Sequence, residues 1–244
     1  EFADRFAEGI EPDLVLTDAL VAQELIAQGL VKELSAFGVK PNLYNSAAVS
    51  MVSDGDKLYA LPFALSTQVL FYDKSQVPTP PATLDDLRRL TTGPDIVMGL
   101  NTSFRNAYWG LRAFGGRSYD SQGRFMLDQG ALTNWLTALM TIQGAAGFLL
   151  SSDQDYLRRQ FIQNSIALYV GDASEVGALT EAMGDRLGIT PLPHGENDEP
   201  AGPLLQTSVL LISANAGEDE TARALQLAQF LTNSQQQSLL AVSD

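Results

Sequence analysis

The chain has 244 residues, 45% of them hydrophobic, with 29 acidic against 15 basic side chains, a net charge of −14 and no cysteine. Such acidity argues against nucleic acid or an anionic membrane surface as partner, since both need clustered Lys and Arg. The lack of cysteine excludes disulfides, thiolate metal sites and cysteine nucleophiles. The length suits one large domain or two modest ones.

Phe2 and Phe6 lie one turn apart, which predicts the last part of a helix over Glu1–Glu8, closed by Gly9. A short strand, Leu14–Leu16, runs into Thr17 and Asp18, whose side-chain oxygens suit the cap of a helix over Ala19–Gln28. A strand feeding directly into a helix marks an α/β protein. A further helix is expected over Leu43–Val52, and Asp54 and Gly55 form a hairpin turn. Val77–Pro81 is a stiff, extended linker. Thr83 and Asp86 resemble a capping box that starts a helix through Leu90.

Ile96–Leu100 reads as a buried strand, followed by a cap cluster at Asn101–Ser103 and a helix carrying Tyr108, Trp109 and Phe114. Tyr119–Arg124 reads as a hairpin turn. Gln129–Ser152 is uncharged, yet Leu132, Trp135, Leu136, Leu139 and Met140 follow helical spacing, so an amphipathic helix is expected there rather than a membrane span. Asp155–Gln163 is a helix, and Ser165–Val170 is a strand leading to a helix start at Gly171–Ser174. Leu187–Leu192 is strand-like, Ser208–Ser213 is an apolar strand, and Glu220–Leu240 reads as one long helix.

The stretch Asp54–Ser75 organises the rest. Two apolar runs, Leu58–Leu65 and Val69–Tyr72, are separated by the polar residues Ser66, Thr67 and Gln68. A strand in a single core should not carry a polar triplet at its middle, whereas a strand leaving one core for another should. Two ordinary strands joined by a polar turn remain the alternative. Ser208–Ser213 is the natural return crossing, with Gln206, Thr207 and Ser208 as its polar lead-in.

Catalytic motifs are absent from the pattern. His194, the single histidine, sits in a loop of turn-forming residues with no nucleophile in a recognisable context. Phosphate-loop and dinucleotide fingerprints are missing. Asp153–Asp155 and Asp54–Asp56 lack the later Gly and closing Glu of a calcium loop, so a helix cap and a hairpin turn explain them better. No metal site, catalytic residue or cofactor is expected. A glycan-acting enzyme built on carboxylates distant in the chain stays as a remote alternative.

In order and spacing these elements resemble the extracellular solute-binding proteins of ABC importers, the class that includes maltose-binding protein. Glu11–Thr17 resembles the family's "PD" strand and Gln28–Ser35 its glycine-leucine turn. Gly55–Tyr72 is similar to its "G-K-L-Y-A-L-P" crossing, with Asp73 where Asn is usual, and Pro81–Leu87 to its "P-P-x-T-W" segment, with Leu84 replacing the aromatic. Phe114–Gly116, Ala167–Gly171 and Glu220–Leu231 also fall where the family has counterparts. The family's chains usually carry further elements at both ends, so this chain is expected to lack both family termini. The opening at Glu1, without Met or an apolar leader, leads us to expect a targeting segment removed or lying upstream.

The resemblance implies a two-lobed periplasmic-binding-protein-like fold (type II): two α/β sandwiches joined by crossing hinge strands, with residues 1–65 plus 208–244 as lobe one and 66–207 as lobe two. It implies an extracytoplasmic monomer that binds a small polar solute, a sugar or oligosaccharide first of all, in an inter-lobe cleft for an ABC permease. A sensory or interaction module of the same fold is the runner-up. In such folds ligands meet strand ends and helix N-termini. That condition points to Thr17 and Asp18; to Ser66, Thr67 and Gln68, with Gln206 on the return; to Ser103, Arg105, Tyr108 and Trp109; and to Asp172, Ser174 and Glu175. Trp109 is expected to face the ligand as a stacking plane beside Arg105 and Arg112, with Tyr108 as the alternative and Trp135 in the core. The family's acidic crossing residue falls at Ser66 and its cleft tryptophan near Ser174, so the resemblance implies a polar solute without singling out maltodextrin.

Overall fold

The computed structural model describes residues 2–93, 95–118, 126–195 and 198–243. The expected hairpin at Tyr119–Arg124 lies outside them. The fold is α/β, and the chain divides into two compact units, Glu1–Ser66 with Leu205–Asp244, and Thr67–Leu204.

The first unit begins with α1 (Phe2–Glu8), whose Phe2 and Phe6 rings lie 6.3 Å apart, and Gly9 ends it at φ +68°. β1 (Leu14–Asp18) leads straight into α2 (Ala19–Ala27), and Asp18 caps that helix by accepting from the Leu20 amide. The helix expected over Leu43–Val52 is shorter: Pro41–Leu43 form a 3-10 turn, then Asn45 accepts from the Ala47 and Ala48 amides and starts α3 (Ser46–Met51). β2 (Ser53–Asp54) and β3 (Lys57–Leu58) close a hairpin around Gly55, which sits at φ +58°, a conformation only glycine adopts without cost. β4 (Ala60–Ser66) follows.

The second unit opens with β5 (Gln68–Asp73). Only Thr67 separates it from β4, so of the polar triplet Ser66 and Gln68 are strand ends and one residue lies between the strands. Thr83 and Asp86 form the capping box of α4 (Leu84–Leu90), and β6 (Met98–Asn101) runs one residue further than the expected strand. The single helix expected after Ser103 is two short ones, α5 (Phe104–Ala107) and α6 (Trp109–Ala113), broken at Tyr108. α7 (Gln129–Ile142) begins on an Asp128 cap. It buries Ala131 and Trp135 but leaves Leu136 and Met140 exposed, so its buried stripe is narrower than the apolar spacing predicts. β7 (Phe148–Ser151), unforeseen in the uncharged stretch, follows it. α8 (Gln154–Ile162), β8 (Leu168–Asp172), α9 (Val176–Met183) and β9 (Leu187–Thr190) complete the unit.

The chain then returns to the first unit as β10 (Gln206–Ile212). Gln206, Thr207 and Ser208 therefore belong to the strand and do not lead into it. The long helix expected over Glu220–Leu240 is broken: α10 (Glu218–Leu231) ends at Thr232, and the Asn233 carboxamide accepts from the Gln236 amide to start α11 (Ser234–Ser243). No helix among the described residues is long and apolar enough to cross a membrane.

Each unit has its own sheet. The first is antiparallel in the order β1-β10-β4, with Leu61, Val209, Leu211 and Ile212 fully buried against α2 residues such as Ala22 and Leu25. The second has the order β7-β6-β8-β5-β9, parallel between β7, β6 and β8 and antiparallel around β5. Its cores lie on the two faces. One gathers Leu70, Leu100, Trp109 and Trp135; the other gathers Phe71, Leu157, Phe161 and Tyr169. A sheet covered on both faces needs near-continuous apolar strands, which explains why Leu168–Val170 carries no polar alternation.

Candidate functional site

In the first unit, one end of the sheet collects four of the expected residues. Asp18 pairs with Ser208 and Thr17 with Val209 across β1 and β10, while Gln206 pairs with Ser66 across β10 and β4. Antiparallel register thus brings residues distant in sequence to the same sheet end. The Asp18 carboxylate is engaged as the α2 cap at 2.8 Å from the Leu20 amide. It adds negative charge at that helix N-terminus, where it is favoured.

In the second unit, the corresponding groups gather where β6 and β8 end and β5 begins. Gln68 pairs with Asp172 in register. Asp172 caps the turn that follows it, accepting from the Ser174 amide at 2.9 Å and the Ser174 hydroxyl at 2.5 Å. Glu175 completes a capping box by accepting from the Asp172 amide at 2.9 Å. Gln68 is 95% buried, being 5% exposed, and its amide nitrogen donates to the Asn106 carbonyl at 3.0 Å and carboxamide oxygen at 3.3 Å. That clasp ties the start of β5 to α5. Gln68 Oε1 has no protein partner in this arrangement. Thr67 donates to the Leu204 carbonyl at 3.4 Å.

Ser103 stands at the start of α5, its amide held by Asn101 Oδ1 at 2.9 Å and its hydroxyl accepting from the Asn106 carboxamide at 3.1 Å. Arg105 is exposed. Tyr108 is half-buried, packs edge-on to Phe104 at 5.8 Å and hydrogen-bonds through its hydroxyl to Ser118. Phe104 itself is 63% exposed.

Trp109 is where the structure corrects the sequence reading. It is 1% exposed and packs in the core, its ring centroid 5.0 Å from that of Trp135 and tilted to it, so it does not stand on the surface beside Arg105. The physical reason is that the segment is covered on several sides: Ala107, Trp109, Gly110, Leu111 and Ala113 are all buried. A helical wheel drawn across Ser103–Phe114 assigns Trp109 to one side with Arg105 and Arg112, but spacing does not show that this side is also packed at Trp109. Arg112 turns to Glu199, 3.5 Å away.

Several buried partners went unseen in the sequence. Asn101, Gln154 and Tyr169 form a hydrogen-bonded row beneath the strand ends. Gln154 lies in the Asp153–Asp155 triplet, whose carboxylates serve as the α8 cap and a partner of Arg158. The one available signal was a carboxamide at a strand end, Asn101, followed by a hydroxyl residue. Among the described residues no group of acidic, His or Cys side chains is placed to hold a metal. His194 pairs through Nδ1 with Asp198 at 2.7 Å.

The second unit also contains a cavity of about 750 Å³ lined by Leu84, Leu87, Trp109, Phe114, Trp135 and Ile142, among others. Trp109 is the only expected ligand residue in its wall. The wall is mixed, because Thr83, Asp85, Arg88, Asn134, Asp198 and Glu199 also line it.

A family profile described as bacterial extracellular solute-binding protein matches residues 5–243, and the chain belongs to that family. It is similar to the galactooligosaccharide-binding protein of Bacillus subtilis, 25% identical over 243 residues, covering 92% of this chain and 57% of that protein. It is also similar to the maltodextrin-binding protein MdxE of the same organism, 24% identical over 238 residues, covering 88% of this chain and 55% of that one. The chain therefore spans little more than half the length of these relatives. Among solved structures, the GacH receptor of Streptomyces glaucescens superposes with a TM-score of 0.83 at 15% identity, covering 97% of this chain and 65% of that one. That likeness concerns the fold.

Proposed function

We propose that this chain belongs to a receptor type that binds a sugar or oligosaccharide and passes it to an ABC permease outside the cytoplasm, without making or breaking a bond. The observation that carries the proposal is the gathering of hydroxyl, carboxamide and carboxylate groups at the sheet ends: Asp18, Ser66 and Gln206 in one unit, Gln68, Ser103, Asp172 and Ser174 in the other. Such mixed donors and acceptors match the rim of a sugar. The names of the relatives, which bind galactooligosaccharide and maltodextrin, point to the same ligand class. The half-buried Tyr108 and exposed Phe104 replace Trp109 as candidates for the apolar face of a pyranose ring. The absence of catalysis rests on the family and on the engagement of Asp18 and Asp172 as caps, which leaves these carboxylates structural duties.

A thermal-shift screen with maltotriose, a galactooligosaccharide, monosaccharides, amino acids and polyols tests the reading, because a ligand that binds only the folded state raises the melting point by mass action. A saccharide-specific rise with unchanged saccharide afterwards supports it. No shift with any saccharide, or hydrolysis of one, overturns it.

A further inference from the structure

A chain of hydrogen bonds runs beneath the sheet end of the second unit, and from Ser103 to Tyr169 each donor points towards Glu175. The Ser103 amide donates to Asn101 Oδ1 at 2.9 Å. Asn101 Nδ2 donates to Gln154 Oε1 at 2.9 Å, and Gln154 Nε2 donates to the Tyr169 hydroxyl at 2.7 Å. Tyr169 donates to the Glu175 carboxylate, 2.8 Å from Oε2 and 3.1 Å from Oε1. From the far side, the Asp172 amide donates to Glu175 Oε1 at 2.9 Å. The row thus begins at one expected ligand segment, Ser103, and ends at another, Asp172–Ser174.

Two features make the row directional. Glu175 is its only anion and accepts at both oxygens, so the side-chain donors upstream are oriented towards it. Aligned hydrogen bonds in a low-dielectric interior polarise and strengthen one another. The phenol at the centre is also held rigidly. Tyr169 is fully buried, between Phe71 at 5.9 Å and Phe161 at 5.6 Å. Gly171 passes so close that a Cβ there would lie 2.5 Å from the Tyr169 ring and 3.0 Å from Glu175 Oε1. Burial first, then the neighbouring Glu175 carboxylate, raise the Tyr169 pKa well above the ordinary phenol range, so the hydroxyl stays a donor.

We propose that Tyr169 and Glu175 are positioning residues, which touch no ligand but hold the Ser103 and Asp172–Ser174 segments in fixed relation through this row. Glu175, expected from sequence to contact the solute, is thereby assigned to the support of Asp172. The inference rests on the saccharide-binding reading for its functional part, and the transmission through the row is separable from it. The pairing of Gln68 with Asp172 extends the held set to the start of β5.

The test compares wild type, Tyr169→Phe and Glu175→Gln with a core control, Ile166→Val, which alters a fully buried side chain outside the row. Amide hydrogen exchange reads transmission without any ligand. In both variants the Ser103 amide should exchange faster, although neither altered residue touches it, while the β8 ladder amides and the Ile166→Val control keep their protection there. Calorimetry with maltotriose and a galactooligosaccharide reads function. Affinity should fall by about twofold to thirtyfold in both relay variants, the range spanned by coupling changes of this kind, and should hold in the control. Unchanged Ser103 exchange overturns the proposal, whether or not a saccharide binds. So does an affinity loss in Ile166→Val equal to that in the relay variants. If wild type binds no saccharide, the functional reading above falls, and the Ser103 exchange alone decides whether the row transmits.

Discussion

Trp109 and Trp135 pack with ring centroids 5.0 Å apart and planes tilted by 55°, but only one of the two indoles has a hydrogen-bond partner. Trp135 Nε1 donates to the Ala107 carbonyl at 2.7 Å, whereas Trp109 Nε1 has none. The pair supplies the centre of one core of the second unit, and Gly110 lies so close that a Cβ there would meet the Trp135 ring at 2.1 Å.

The asymmetry sets an order of costs. Trp109→Ala should destabilise the second unit by about 3–5 kcal/mol, as deletion of a buried aromatic does. Trp135→Phe should cost more than Trp109→Phe, by about 1–3 kcal/mol, because it strands the buried Ala107 carbonyl. Urea unfolding curves of the two Phe variants measure the difference, and equal midpoints would contradict it.

Asp73 gives a pH dependence. It is fully buried at the end of β5, with Arg186 Nη1 2.6 Å away and the Ser75 amide and hydroxyl at 2.9 and 2.5 Å. Burial on its own would raise the pKa of its carboxyl. The Ser75 hydrogen bonds and Arg186 outweigh that and hold it below 3.8. A folded pKa beneath the unfolded one contributes stability above the unfolded value and loses it as pH falls through the folded one. Stability should therefore drop as pH is lowered from about 5 towards 2, across the carboxylate range, and more steeply in wild type than in Asp73→Asn. Urea midpoints over that range check the slope.

Tyr108 carries the binding prediction that Trp109 cannot. Tyr108→Ala should weaken saccharide binding by about 1–3 kcal/mol, as loss of an aromatic anchor does. Tyr108→Phe should keep most of the affinity, because the ring remains. Calorimetry with the saccharide that gives the largest thermal shift decides, and an undiminished affinity in Tyr108→Ala would move attention to Phe104.

A packing prediction concerns Gly147, just before β7. A Cβ at that position would lie 1.9 Å from the Thr91 carbonyl oxygen, a backbone atom that cannot swing aside. Gly147→Ala should destabilise by about 1–3 kcal/mol or more through overpacking, seen as a lowered melting point. A neutral result would mean that the end of α4 is free to shift.

Much of this architecture was legible because local signals agreed with the fold. Asp18 before an apolar helix, the Thr83–Asp86 box and Gly55 in its hairpin each act through nearby backbone. What was not legible depended on partners distant in sequence. β7 looked like the tail of an uncharged helix because only its pairing with β6 distinguishes it. The burial of Trp109 depends on Trp135, a partner 26 positions away that apolar spacing does not reveal. At the candidate site the capping roles of Asp18 and Asp172 were readable, but the row through Gln154 and Tyr169 was not. It joins a loop, a strand and a helix whose proximity exists only once the sheet is formed.

The order of strands in the first sheet bears on how the molecule is made. β10 lies between β1 and β4 and pairs with both, yet it is the last of the three to leave the ribosome. Among the described residues β10 is the strand that joins β1 to β4, and it is made only after Thr67–Leu204. That intervening unit is one continuous stretch whose five strands are complete before Gln206 emerges, so it is free to fold first. Such non-local pairing is slow to nucleate and exposes strand edges meanwhile. A nascent chain arrested before Gln206 would hold every strand of the second sheet but lack the one that joins β1 to β4 in the first.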